Sequence, residues 1–311
     1  MLNNFLQVGS QVIVLFLLMG VGFVATKLGF FTKDMTSKLT DFVLYFVAPA
    51  IVIVSFQLEF DKELLIGLGV TAFLAVVAHI INILLAKILI HDTDKARESV
   101  LRFGSIFSNC GFMGLPLDFA LFGSGGVFYG AAYIAVFNIV SWSYGVVLMN
   151  KGRSDYRLSW KKVFINPGTI GVVIALVLFL CSIELPKPIY ETINYVGSLN
   201  TPVPMFIIGS GMVGMSLKEL FKERSIYPAV LLRLVIVPLI LIAILYIFKV
   251  NPIIAGVCLV GVSAPSAALT SMFAVKFERD EASSINIVSL STLVSIVTMP
   301  FLIALLQTLM F

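Results

Sequence analysis

The chain has 311 residues, 59% of them apolar and 12% charged, with a formal net charge of +4 and a mean hydropathy of +1.04. Soluble domains run at about 45–50% apolar and about 25% charged, so a water-soluble globule of this composition could not cover itself with polar surface. That excludes a soluble enzyme, a disordered chain and a nucleic-acid binder, because the basic residues lie between long apolar runs and form no single patch.

A helix crosses the hydrocarbon layer with about 20 apolar residues. Ten segments meet that length in chain order: 8–28, 38–57, 64–90, 99–121, 126–149, 163–183, 190–215, 226–248, 252–276 and 282–309. They are apolar all round rather than alternating over about ten residues, so helices are expected and not a β-barrel. The first span has no basic residue before Lys27, and its run is too long for a cleavable signal. The expected fold class is an all-α polytopic membrane protein.

Lys and Arg set the orientation. Lys27, Lys33 and Lys38 follow the first span, Lys87, Lys95, Arg97 and Arg102 flank the loop after the third, and Lys151, Arg153, Arg157, Lys161 and Lys162 follow the fifth. Lys218, Lys222, Arg224 and Arg233 follow the seventh, and Lys276 and Arg279 the ninth. The even loops hold only Lys62, Lys187 and Lys249. The odd loops, with the linker 151–162, are therefore expected in the cytoplasm, both termini outside, and the chain in the cell membrane.

Shifting the chain by half its length superimposes its features. Pro49 falls on Pro204, Lys62-Glu63-Leu64 on Lys218-Glu219-Leu220, and Asn109 on Pro265. Two tandem repeats of five spans must lie in opposite orientations, a plan common in secondary transporters. The expected units are 1–150, the linker 151–162 and 163–311.

Spans four and nine carry the most informative polar residues. In span four, Ser108, Asn109 and Cys110 precede Gly111, Gly114 and Pro116; in span nine, Ser263, Ala264, Pro265 and Ser266 precede Thr270. Gly and Pro weaken a helix, and the carbonyls of Phe112 and Met113 are expected to lose their partners. Broken backbone at bilayer depth is tolerated only where protein or a water-filled cavity satisfies it. Two breaks at one offset point to a midplane site whose half-helix N-termini suit an anion.

Ionisable groups inside the spans are few. His79 either carries a coupling proton or is a hydrogen-bonded packing residue. Arg233 either compensates the charge of a substrate carboxylate or snorkels to the interface. Asp118 is expected to be exposed at the outer end of span four. Cys110, Cys181 and Cys258 lie apart inside apolar runs and form no disulfide or metal framework. His79 and His91 lack a neighbouring Glu motif, so neither an enzyme nor a bound metal or other cofactor is expected.

Asn109-Cys110-Gly111-Phe112-Met113-Gly114-Leu115-Pro116, Ala264-Pro265-Ser266, the Ala-Val-Phe-Asn-Ile-Val stretch around Asn138, residues Ser291 to Pro300, and Leu44 to Pro49 together resemble the auxin efflux carrier family. That family includes bacterial malate and malonate permeases and the plant PIN auxin carriers. The resemblance implies a bile-acid-symporter-like fold in which helices 1, 2, 6 and 7 form a scaffold that often dimerises. Helices 3–5 and 8–10 then form a transport domain, with helices 4 and 9 crossing at their breaks and moving in an elevator or rocking step. It adds Asn138 to the candidate substrate-binding residues. The short linker favours a microbial metabolite carrier over a regulated hormone exporter. The expected substrate is a small organic anion; the alternative is a sodium- or proton-coupled symporter of an amphipathic or neutral substrate.

Overall fold

The computed structural model describes residues 2–150, 167–213 and 223–310. The linker 151–162 and the Lys218-Glu219-Leu220 copy of the repeat lie outside the described residues. Among the described residues the chain is helical, and its one β feature is an isolated bridge between Ser108 and Ser266.

The helices are α1 (Leu2–Lys27), α2 (Asp34–Ser55), α3 (Lys62–Leu89), α4 (Lys95–Ile106), α5 (Cys110–Met149) and α6 (Pro167–Leu180). They continue with α7 (Lys187–Ser198), α8 (Pro202–Gly211), α9 (Arg224–Ile247), α10 (Pro252–Ser263), α11 (Leu269–Lys276) and α12 (Glu281–Met310). Five of them, α2, α3, α5, α9 and α12, are long and apolar enough to cross a membrane, and shorter apolar helices cover Ile13–Lys27, Thr169–Leu180 and Pro252–Ser263.

Side chains sort as they do in lipid. On α3 the buried stripe is mostly small or polar, with Gly67, Thr71, Ala75, Ala78, His79, Asn82 and Ala86 beside Leu68 and Leu74. The outward stripe is large and apolar, with Ile66, Phe73, Ile80, Leu84 and Ile88 exposed. Small residues let membrane helices approach closely. Gly22 and Gly209 take this furthest: a Cβ on either would overlap backbone of the other helix, at Phe206 and Met19 respectively. This seats α1 on α8.

Three prolines are absorbed by a repeated device. Wide five-residue turns at Val43–Val47, Cys110–Gly114 and Leu232–Ile236 each end two residues before a proline, Pro49, Pro116 and Pro238. In each, the residue just before the proline donates its N–H five residues back rather than four: Ala48 to Val43, Leu115 to Cys110 and Val237 to Leu232. The widened turn moves aside the carbonyl that the proline ring would otherwise strike.

Two boundaries differ from the sequence expectation. Expected spans four and five are separated only by a bend at Gly123, whose φ of 63° leaves the helical region, a conformation glycine adopts without a Cβ clash. The expected span 190–215 is interrupted between α7 and α8, where Pro202 supplies no N–H and Asn200 is buried with its Oδ1 unpartnered.

The loops gather at two poles. At one, Gln57 accepts from the Leu185 N–H at 2.7 Å and donates to the Ile183 carbonyl at 3.3 Å. At the other, Arg279 Nε donates to the Met149 carbonyl at 2.6 Å, and Ser283 and Asn286 donate to the Glu223 carboxylate. α1 packs on α8 and α12, the 48–55 portion of α2 packs on α6 and α7, and α5 packs on α3 and α10.

Candidate functional site

Asp94 caps α4 by accepting from the Ala96 and Arg97 N–H groups, and α4 ends at Ile106, with Phe107 extended at φ −100°, ψ 116°. Asn251 caps α10, followed by Pro252 in its first turn. That helix ends at Ser263, and Ala264 is extended at φ −58°, ψ 147°, as a residue before proline prefers.

The two extended segments pair antiparallel. The Asn109 N–H donates to the Pro265 carbonyl at 2.7 Å, and the Ala267 N–H to the Phe107 carbonyl at 2.9 Å. Ser108 and Ser266 stand opposite one another. Ser266 Oγ donates to the Gly104 carbonyl at 2.8 Å, and its N–H donates to Ser291 Oγ at 3.0 Å. The crossing is thereby fixed to α4 and α12 at once.

Arg233 closes the other side. It is fully buried, inside the wide turn of α9. Nη1 donates to the carbonyls of Ser105 (3.2 Å) and Ile106 (2.8 Å), and Nη2 donates to the Val262 carbonyl. One guanidinium therefore caps the C-terminal ends of α4 and α10, where backbone dipoles present partial negative charge. Among the described residues it has no carboxylate partner, and its Nε is unpaired. Snorkelling is overturned: the wide turn directs Arg233 into the protein, onto orphan carbonyls.

The break in span four falls upstream of its expected place. Pro116 lies inside α5, where the regular helix resumes at Leu115 behind the wide turn, and that turn accommodates its ring. Gly111 and Gly114 belong to the wide turn. Backbone groups around Phe107 and Asn109 leave the helical pattern and pair across the crossing, and the Phe112 carbonyl loses its four-residue partner because Pro116 has no N–H.

At the head of α5, the N–H groups of Met113 and Gly114 both reach the Asn109 carbonyl. No backbone acceptor among the described residues takes those of Cys110, Gly111 and Phe112. A Cβ on Gly111 would meet open space. The Asn109 side chain makes no hydrogen bond among the described residues, although it is only 8% exposed. Ser263 Oγ and Thr270 Oγ1 are buried without partners. The structure thus brings Ser108, Asn109, Cys110, Gly111, Ser263, Ala264, Pro265, Ser266, Thr270 and Arg233 to one crossing, with Gly114 and Pro116 at the foot of the helix leaving it.

His79 stands behind this crossing. Its Nδ1 is 2.7 Å from the Ala75 carbonyl, and its ring lies 6.1 Å from Phe107 and 5.8 Å from Tyr133, centroid to centroid. Asn138 is half-buried next to Phe137, the ring that contacts His79 at 6.3 Å, and its side chain takes no part in the break pairing. Asp118 is corrected from exposed to buried: it is 3% exposed, folded under the bend at Gly123. An apolar groove of about 790 Å³ between α3 and the end of α9, lined by Phe73, Tyr129 and Phe248 among others, contains none of the residues of the crossing.

Sequence comparison gives a concordant result. The family described as Membrane transport protein matches residues 8–303. A protein of Methanothermobacter thermautotrophicus named as an uncharacterized transporter is 26% identical over 303 residues, covering 93% of this chain and 94% of its own. A second uncharacterized transporter, from Methanocaldococcus jannaschii, is 22% identical over 284 residues, covering 86% of this chain and 89% of its own.

Proposed function

The chain belongs to the membrane transport protein family, the auxin efflux carrier family of the sequence resemblance, and from that premise we propose that it is a secondary carrier of small organic anions, with malate, malonate or auxin-like acids as leading substrates. The observation that carries this reading is the head of α5. The backbone N–H groups of Gly111 and Phe112, without an acceptor among the described residues, the unengaged Asn109 amide and the open space at Gly111 lie beside a crossing capped by the buried Arg233 cation. Backbone donors at a helix N-terminus suit a carboxylate.

The reading takes the chain as two inverted repeats, 1–150 and 163–311, in the cell membrane with both ends outside and the linker 151–162 inside. Helices 1, 2, 6 and 7 form a dimerising scaffold, and the crossing moves with helices 3–5 and 8–10 to give alternating access. Its support is the seating of α1 on α8 and of α2 on α6 and α7.

Purified protein in liposomes tests it, with counterflow of labelled carboxylates and recorded currents over a panel of mono- and dicarboxylates. Saturable exchange of at least one carboxylate is expected; its absence across the panel rejects the reading. Replacing sodium by choline is expected to leave exchange unchanged. Asn109→Asp places negative charge among the proposed anion donors, and its apparent Kd for the transported acid should rise about tenfold or more, equivalent to at least ~1.4 kcal/mol. Wild-type affinity in that variant would place the site elsewhere.

A further inference from the structure

Asp118 is a carboxylic acid in an unusual setting. It lies on α5, just past the wide turn where the regular helix resumes, is 3% exposed, and its Oδ1 has no hydrogen-bond partner. The other buried carboxylate among the described residues, Glu98, is paired with Lys95 and Arg102; Asp118 has no cation. The chain makes room for it. Beyond the bend at Gly123, α5 doubles back with Gly126 and Gly130 against this turn. A Cβ on Gly130 would stand 2.9 Å from Asp118 Oδ2, and one on Gly126 would overlap the Asp118 carbonyl.

An ionised carboxylate buried without a partner costs several kcal/mol, and water removes that penalty once the surroundings open. Such a group suits a change of protonation between the closed and open site. The titratable groups facing it are the Cys110 thiol on its own arm of α5 and the Cys258 thiol on α10. The facing surface of the returning arm is Gly126 and Gly130, and no charged group of α1, α2, α3 or α6 reaches it. A metal cation would need several oxygen ligands, and one unpartnered carboxyl oxygen against two glycines does not supply them. A proton needs only that oxygen.

We propose that Asp118 is a proton-binding site of the carrier: its carboxylate takes one proton from water on one side of the membrane, holds it as the neutral acid while the site is occluded, and releases it on the other side. Arg233 donates to the Ile106 carbonyl just before the head of α5, and Asp118 follows that head on the same helix, so the two groups flank it. With Asp118 neutral, Arg233 leaves the crossing with one uncompensated positive charge, which one substrate carboxylate balances. Proton and anion then travel together. This coupling rests on the organic-anion reading; the proton site does not.

Two measurements separate them. In substrate-free purified protein at pH 7, labelling aspartate with ¹³C should shift the infrared carbonyl band of a protonated carboxyl, and Asp118→Asn should remove that band. No aspartate-dependent band in the wild type overturns the proposal without needing any variant. In liposomes, a one-unit inward proton gradient should raise initial malate uptake several-fold, up to the about tenfold drive of one pH unit. In Asp118→Asn that stimulation should vanish while malate–malate exchange persists, and Asp118→Glu should restore it. Gradient stimulation retained in Asp118→Asn overturns the coupling. An Asp118-dependent band in a protein that exchanges no carboxylate upholds the proton site and rejects the organic-anion reading instead.

Discussion

Arg233 joins two helix ends with one planar group, and that geometry decides what replaces it. A guanidinium offers donors in a fixed fork, whereas an ammonium is a point charge on a flexible stem. Arg233→Lys should keep the charge but fail to span Ser105, Ile106 and Val262 together. The protein should still fold, with a lower melting temperature and weakened anion exchange. Arg233→Ala strands those buried carbonyls at about 1–3 kcal/mol each, so the detergent-solubilised protein should melt far below the Lys variant. Equal melting of the two would mean that the carbonyls find other partners. Hydropathy flagged Arg233 as an intramembrane charge but could not aim it, because its direction comes from a wide turn that leaves no mark on the apolar pattern. Asp118 was misjudged for a related reason: its burial depends on the glycines of a returning arm, which linear spacing does not reveal.

Among the elements, the wide turns separate two kinds of disruptive residue. Pro116 follows a turn already widened around its ring, so Pro116→Ala should change stability by less than about 1 kcal/mol. Gly123 adopts φ 63°, ψ −148°, a region essentially reserved to glycine, and Gly123→Ala should cost about 1–3 kcal/mol although the space around it is open. Melting curves of the two variants check the order, and a larger loss at Pro116 would return the break to that residue. The long spans were legible because their hydropathy is continuous, and Pro265 was legible because proline restrains the residue before it. The break at Phe107–Asn109 carries no proline of its own. Ser108 and Asn109 are poor helix formers, but the hydrogen bonds that hold them extended come from the distant Pro265 and Phe107–Ala267 pairing. Ser198, Asn200, Thr201 and Pro202 do signal the interruption between α7 and α8; the length of the 190–215 segment hides it.

For the whole molecule, the two poles sort the loops as the basic residues do. Gln57 ties the end of α2 to the loop after α6, and Arg279 ties the loop before α12 to the end of α5. Cys181 belongs to the first pole and is exposed, whereas Cys110 and Cys258 are buried. With that pole outside, as the charge distribution predicts, a membrane-impermeant maleimide added to intact cells should label the wild-type chain, and Cys181→Ser should abolish labelling. Labelling only after permeabilisation would invert the topology.

The pairing of the breaks also bears on how the chain is made. Ser266 and Gly104, which it hydrogen-bonds, are 162 residues apart. During synthesis the first half enters the bilayer long before Arg233, Pro265 and Ala267 exist to meet the open backbone of residues 105–109. Unsatisfied backbone in hydrocarbon is costly, so the newborn first half must wait in a provisional state, at the translocation machinery or coiled into continuous helix, until the second half arrives. Completion of the crossing is then a late, all-or-none event in assembly, and the stretch 105–109 is where cellular quality control would recognise a chain that has stopped short.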